Sequence, residues 1–211
     1  MSGVSYILER PLAAVFVAAL SVRVALLAFG GSIPPDRLIP PDGREYAALA
    51  ENLSQRREFV DAQGRPELSR TPVYPLFLVA ATKPFGRFKP VVAVGLQLLL
   101  GALVACGAAG LALALRGCEA ALIAGLFVAL DVSYLEHNFL ILTENLFVVF
   151  EMAGLYLLVT RLRDGGTLGL GAAGAAFSLA ALTRPIGVYL PLPLAALVAA
   201  SVDGGARRRA A

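Results

Sequence analysis

The run PVVAVGLQLLLGALVACGAAGLALAL, residues 90–115, decides the fold of this 211-residue chain. It contains no charged residue, and a helix needs about 20 consecutive apolar residues to cross the hydrocarbon core of a bilayer. Further apolar blocks lie on both sides of this run. The sequence therefore predicts an all-α, polytopic membrane protein.

The composition agrees with a membrane setting. Hydrophobic residues make up 58% of the chain and charged residues 16%. The formal charge of +3 sits mainly in the short flanks of the apolar blocks, where membrane topology places positive residues, so nucleic acid is not predicted as a partner. Cys106 and Cys118 lack metal-ligand spacing, and no disulfide is predicted.

We predict about six transmembrane helices, at residues 11–29, 90–115, 120–131 with flanks, 139–160, 168–182 and 186–202. The first block resembles a signal peptide, but it is long and has no convincing small-residue cleavage site, so we interpret it as a retained span. Residues 1–205 then form one transmembrane module, and residues 206–211 form a basic cytoplasmic tail.

The topology depends on how residues 73–89 are placed. Residues 73–82 are apolar over about ten positions, which is too short for a span and predicts an interfacial or re-entrant segment. If 73–89 were a true span, every later connection would change sides. The positive-inside rule favours the interfacial placement with a cytoplasmic N-terminus, because these arginines are then cytoplasmic: Arg10, Arg116, Arg161, Arg163, Arg207, Arg208 and Arg209.

In that arrangement a long polar loop, residues 30–89, lies on the outer face. A loop of this length, rich in carboxylates and arginines, is a candidate functional segment. Apolar residues recur at helical spacing within it and predict an amphipathic helix at 43–59 that lies along the membrane surface. Asp42 stands at the predicted N-cap of this helix, with Glu45 three residues later, which is the pattern of a capping box.

The predicted topology brings several polar residues of distant sequence to the outer face. They are Asp42 and Arg70 in the loop, the turn from Asp131 to Glu144, and Arg184 between two apolar blocks. This convergence predicts one site at the outer membrane surface.

Five sequence features occur in order on this face. They are the early loop aspartate, YAALAENL at 46–53, RTPVYPLFL at 70–78, LTE at 142–144, and ALTRP at 181–185. In this combination the chain resembles the GT-C-fold glycosyltransferases that use polyprenyl-phosphate sugars. The nearest branch includes the protein O-mannosyltransferases and the aminoarabinose transferases of lipid A. The resemblance runs over most of the chain.

The resemblance implies a function for the loop aspartate. In this family that residue is taken to be the general base, and Asp42 is the matching position. A carboxylate can take the proton of an acceptor hydroxyl while the oxygen attacks the anomeric carbon. An inverting displacement follows, with lipid phosphate as the leaving group and no carboxylate nucleophile.

The departing phosphate requires a fixed cation, and Arg70 or Arg184 could supply a bidentate guanidinium. Arg70 could instead anchor lipid headgroups. Arg184 lies between two spans beside a proline, where an arginine is costly unless it is paired. Glu144 could pair with such an arginine or help bind donor or metal, or it could simply favour the helix dipole.

Secondary candidates surround these residues: Glu45, Tyr46, Tyr74, Asp131 and His137. Capping alone explains Glu45, and Tyr74 is more typical of interfacial packing than of sugar stacking. His137 is the only histidine, so a divalent metal is possible but is not assigned.

Enzymes of this type are generally at least twice as long, so the chain resembles their N-terminal module. We expect an integral protein of the bacterial inner membrane that binds a polyprenyl-phosphate sugar, membrane lipids and a cell-envelope acceptor. The alternative is a non-catalytic membrane subunit or truncated relative that binds lipid or a partner. A partner chain could supply the missing C-terminal spans.

Overall fold

The computed structural model describes residues 10–29, 34–86, 88–164, 167–190 and 192–196. Over these ranges the chain is helical, and Val60 and Pro66 form an isolated β-bridge. The predicted all-α class is confirmed. The α-helices are α1 (Pro11–Phe29), α2 (Pro41–Arg56), α3 (Val73–Thr82), α4 (Pro90–Arg116), α5 (Cys118–Leu130), α6 (Val132–Asn138), α7 (Glu144–Asp164) and α8 (Thr167–Thr183). Short 3-10 helices lie at Pro35–Leu38, Lys83–Phe85 and Pro185–Tyr189.

Three of the described helices are long and apolar enough to cross a membrane. They are α1, α4 and residues Glu144–Leu162 of α7. Helices α5 and α6 meet at a bend of 58° and would add a fourth span if they are taken together. The predicted count of six spans is therefore not confirmed, although the chain has the helices of an integral membrane protein.

The difference from six spans has local causes. Helix α5 has 13 residues and ends at Asp131, whose carboxylate accepts a 2.6 Å hydrogen bond from the Tyr134 amide and caps α6. Such a cap starts a new helix inside a region that apolarity alone presents as one span. Helix α8 has 17 residues, somewhat fewer than a span usually needs. The predicted span 186–202 runs past the described residues, and the tail 206–211 lies outside them.

Small residues allow α1, α4 and α5 to pack closely. A β-carbon added at Gly125 would lie 2.6 Å from the side chain of Val15, so α1 and α5 approach through a glycine. Lipid tails are as apolar as leucine, so the hydrophobic effect does not drive helices together in a membrane. Close van der Waals packing between backbones takes its place. The buried residues of this interface are Val15, Ala19, Ala102, Ala105, Ala109, Ala121 and Ala129.

The described part of the polar loop between α1 and α4 is folded against this bundle. Helices α2 and α3 pack on each other, α3 also packs on the N-terminal part of α4, and Tyr46, Leu49 and Tyr74 are buried in the shared apolar cluster. The predicted apolar face of α2 and the predicted bounds of α3 are confirmed. Helix α2 begins at Pro41 and ends at Arg56, earlier than the predicted 43–59, because Arg57 adopts a left-handed conformation with φ of 60°.

The predicted capping box at Asp42 is wrong. Pro40 is the N-cap of α2 and Pro41 is the first helical residue, and no side chain caps the N-terminus of the helix. Proline at the first helical position has no amide hydrogen to satisfy and has a suitable fixed φ, so the helix start needs no side-chain acceptor. Asp42 and Glu45 are thus both free of the capping role and point to a different partner, Arg70.

A buried hydrogen-bond network connects the polar loop to the bundle through Gln97 of α4. The Tyr74 hydroxyl donates to Gln97 Oε1 at 2.6 Å, and Gln97 Nε2 donates to the Leu140 carbonyl at 2.6 Å. Asn145 Nδ2 donates to the Gln97 carbonyl at 2.6 Å. Buried polar groups are costly unless they are bonded in this way, so Gln97 determines how α3, α4 and α7 meet.

Arg23 lies inside the same bundle and is fully buried. Its Nε donates to Asn138 Oδ1 at 2.8 Å, its Nη1 donates to the Ala19 carbonyl at 3.0 Å, and its guanidinium lies 5.8 Å from the centre of the Tyr134 ring. The neighbouring Gly101 leaves room for this contact, because a β-carbon there would overlap Asn138. Arg23 therefore holds α1 to α6.

Candidate functional site

Arg70 joins both loop carboxylates that the sequence singled out. Arg70 Nε donates to Glu45 Oε2 at 2.9 Å, and Arg70 Nη2 contacts the same oxygen at 2.5 Å. Nη2 also lies 3.4 Å from Asp42 Oδ1. Asp42 and Glu45 are one helical turn apart on α2, so one guanidinium reaches both. Glu45 is the main partner of Arg70, and Asp42 is held more loosely.

The Arg70 guanidinium also lies over the ring of Tyr46, 5.1 Å from its centre. Partial burial is the largest single influence and would lower the pKa of Arg70, but the interactions with Glu45 and Tyr46 together outweigh it and raise the pKa above its ordinary value. Arg70 therefore carries a permanent positive charge next to Asp42.

Tyr46 and Tyr74 form the floor below this cluster. Their rings meet edge to face with centres 5.2 Å apart. Both rings are buried, and the Tyr74 hydroxyl is used by Gln97. Tyr74 therefore packs inside the protein, between α2 and α4. Both residues position Arg70 and α2.

A second ion pair lies at the start of α7. Arg184 Nη1 contacts Glu144 Oε1 at 2.5 Å, with both side chains partly buried. The predicted pairing of Glu144 with an arginine is confirmed. Glu144 is also the first residue of α7, where a negative charge is favoured by the helix dipole, so both interpretations of this residue apply.

Two contacts tie the two ion pairs together. The Thr71 hydroxyl donates to the Thr183 carbonyl at 2.7 Å. Thr71 follows Arg70 in the sequence, and Thr183 precedes Arg184. The Ile141 amide donates to the Leu38 carbonyl at 2.8 Å, which docks the start of the polar loop near Glu144. Segments far apart in sequence thus contribute to one polar region.

Gly43 permits the close approach of α2 to this region. A β-carbon at position 43 would lie 2.5 Å from the Ile141 carbonyl oxygen and 3.0 Å from Pro40 Cδ. The neighbour is backbone and cannot simply rotate away. Glycine is therefore needed immediately after Asp42 for the loop to dock.

We expect Gly43→Ala to lower the thermal unfolding temperature of the purified protein, since overpacking typically costs about 1–3 kcal/mol. Gly95→Ala is the matched control, because Gly95 is also helical and a β-carbon there meets nothing within 4 Å. The control should unfold at the wild-type temperature or above it. Equal unfolding temperatures for Gly43→Ala and wild type would contradict the close approach.

The structure places the remaining candidates outside these ion pairs. Asp131 caps α6, and His137 Nδ1 lies 2.7 Å from the Ser133 carbonyl within the same helix. Among the described residues, no group of three His, Cys, Asp or Glu side chains is placed to hold a metal ion. Asp131 and His137 thus have structural contacts of their own.

Sequence reasoning missed Thr71, Gln97 and Asn145, which connect the site to the helices. A signal was available for Gln97, because a polar side chain within an apolar run of spanning length is usually bonded inside the protein. Thr71 belongs to the RTP motif, but only its spatial neighbour Thr183 reveals its role.

A family model described as dolichyl-phosphate-mannose-protein mannosyltransferase matches residues 69–210, about two thirds of the chain. The matched range includes Arg70, Glu144 and Arg184 and begins after Asp42 and Glu45. No curated protein and no solved structure matches the chain. The family match thus covers both arginines of the site.

Proposed function

Because this chain belongs to the dolichyl-phosphate-mannose-protein mannosyltransferase family, a family of GT-C-type membrane glycosyltransferases, we propose that it transfers a sugar from a polyprenyl-phosphate donor to a cell-envelope acceptor. The proposed reaction is an inverting displacement at the anomeric carbon. The acceptor oxygen forms the new glycosidic bond, the bond to phosphate breaks, and the phosphate leaves with its electron pair.

The different environments of Asp42 and Glu45 carry the assignment of the base. Glu45 is engaged by Arg70 at 2.9 and 2.5 Å, whereas Asp42 has one weak contact at 3.4 Å. Both side chains are largely exposed, so the difference lies in the hold of Arg70 on each carboxylate. A general base needs an accessible lone pair within hydrogen-bond reach of the hydroxyl. Asp42 is therefore the proposed base, and Glu45 is the residue that orients Arg70.

Arg70 and Arg184 are the proposed ligands of the donor phosphate. Arginine binds phosphate through two parallel N–H bonds, and its fixed charge stabilises the negative charge that develops on the leaving group. Arg184 is paired with Glu144 without substrate. In this proposal Glu144 keeps the guanidinium oriented until phosphate takes up its free N–H groups.

The site would face the outer side of a bacterial inner membrane, with the N-terminus of α1 in the cytoplasm. The distribution of arginines supports this orientation. A lipid-linked donor would then present its phosphate at the membrane surface, level with the outer ends of α4 and α7.

The test is sugar transfer by the full chain in membranes that lack related enzymes. Radiolabelled sugar on polyprenyl phosphate is supplied together with a cell-envelope fraction as acceptor, and lipid-free labelled product is measured. We expect transfer that depends on the chain. Folded wild-type protein that binds the donor but transfers no label would contradict the proposed function and favour a non-catalytic role.

A further inference from the structure

A cavity of about 380 Å³ lies beside the site, between α2 and the loop that follows it. Arg44, Glu45 and Ala48 of α2 form one wall, and Gln63, Arg65 and Glu67 form the other. Its size falls in the range of small-molecule sites, about 300–1,000 Å³. None of the roles assigned above uses this space.

The loop wall is fixed by its own hydrogen bonds. The Asp61 carboxylate accepts three hydrogen bonds: from the Gln63 amide at 2.9 Å, from the Arg65 amide at 2.8 Å and from Arg65 Nε at 2.8 Å. The hydrogen bond from the Arg65 amide has the largest effect, and together these bonds lower the pKa of Asp61 although desolvation acts to raise it. Asn52 of α2 donates to the Val60 and Asp61 carbonyls at 3.1 and 2.9 Å and holds the loop to the helix. The cavity is therefore preformed, which lowers the entropic cost of binding.

The charges of the cavity are mostly used within the protein. Asp61 pairs with Arg65, and Glu45 pairs with Arg70. Glu67 accepts hydrogen bonds from Ser69 and from the Arg70 amide. A balanced set of this kind offers no net attraction to an anion or a cation. It offers many hydrogen-bonding atoms in planar carboxylate, guanidinium and amide groups, which match the adjacent hydroxyls of a sugar.

The cavity lies next to the proposed base along α2. Glu45 belongs both to its wall and to the Arg70 cluster, and Asp42 is the neighbouring side chain one turn earlier on α2. A hydroxyl group that extends past Glu45 would come within reach of Asp42.

We propose that this cavity is the acceptor subsite and that the acceptor is a neutral carbohydrate. The inference rests on the proposed function and deepens it by naming the acceptor class. Arg44 and Gln63 are the proposed specificity residues, because they stand on opposite walls of the cavity. The side chain of Gln63 contributes only a weak 3.4 Å contact from Arg65 to the loop, so its amide can turn to a ligand. A peptide acceptor fits less well, since the apolar lining residues are Ala48, Leu49 and Ala62, and Leu49 is almost fully buried and offers little surface to a peptide side chain.

The test measures binding without any donor. Purified full-length protein in nanodiscs is examined by saturation-transfer NMR with α-mannotriose, maltotriose and a serine- and threonine-rich peptide as separate probes. We expect a sugar signal for wild type and about five- to tenfold weaker binding for Arg44→Gln and Gln63→Ala, the loss of one good hydrogen bond. Arg56→Gln and Glu58→Gln, in the same exposed segment but outside the cavity, should bind like wild type.

Three results would overturn the inference: no signal from either sugar, equal binding by the cavity and control variants, or displacement of the sugar by the peptide. Thermal unfolding of each variant confirms that it is folded. Because no donor is present, the sugar result does not depend on transfer. Sugar binding that needs Arg44, in a chain without transfer, would keep the cavity as a carbohydrate-binding site while the proposed function, and with it the acceptor role, fails.

Discussion

Replacing Asp42 by asparagine is expected to reduce sugar transfer by about 10²- to 10⁴-fold, the usual contribution of a general base. The substitution keeps the shape of the side chain, and the amide oxygen can still accept the weak contact from Arg70. The capacity to take a proton is lost together with one negative charge, while Glu45 keeps its pairing with Arg70. The donor should therefore bind with nearly unchanged affinity, and the effect should fall on kcat, measured with labelled donor at saturating concentration.

Two further variants separate catalysis from loop geometry. Glu45→Gln weakens the hold on Arg70 and should reduce transfer less than Asp42→Asn, because Glu45 orients a group and does not accept the proton. Glu58 lies in the same loop and is exposed, so the Glu58→Gln variant should transfer sugar like wild type. Asp42→Asn with wild-type kcat would remove Asp42 as base, and a larger effect from Glu45→Gln would move that role to Glu45.

The sequence alone was enough to predict the parts of the fold that depend on local pattern. The helical spacing of Tyr46 and Leu49 predicted the buried face of α2, and the short apolar run predicted α3. Charge distribution placed Glu144 and Arg184 on one face, and the structure pairs them. Periodicity and charge are properties of short segments, so a single sequence reveals them.

Features that depend on precise backbone position were not predictable. The sequence around Asp42 and Glu45 is compatible with a capping box, but the helix begins two residues earlier than predicted, at Pro41, and both carboxylates turn to Arg70. One residue changes the direction of a helical side chain by about 100°, since a turn has 3.6 residues. The bend at Asp131 likewise depends on a single hydrogen bond inside an otherwise apolar region.

Replacing Arg184 by alanine is expected to reduce transfer by about 10²- to 10³-fold, the usual cost of one preorganised group that stabilises developing charge. Glu144 would lose its ion-pair partner, but it is 28% exposed and water can solvate it, so the protein should remain folded. Arg184→Lys keeps the charge and loses the planar fork, and it should recover part of the activity. Arg116 lies at the end of α4 opposite to the site, so Arg116→Ala is the matched control and should transfer sugar like wild type.

The division of the Arg184→Ala effect between kcat and KM identifies what the arginine does. A guanidinium that binds the donor phosphate equally before and during reaction lowers KM only, whereas one that binds the departing phosphate more strongly raises kcat. Glu144 is paired with Arg184 when no substrate is bound, so the donor phosphate must compete with Glu144 for the guanidinium. The leaving phosphate carries more negative charge than the bound donor and therefore competes more strongly. We therefore expect the loss mainly in kcat. A variant with unchanged kcat and raised donor KM would instead make Arg184 a donor-binding residue, and the stabilisation of the leaving group would pass to Arg70.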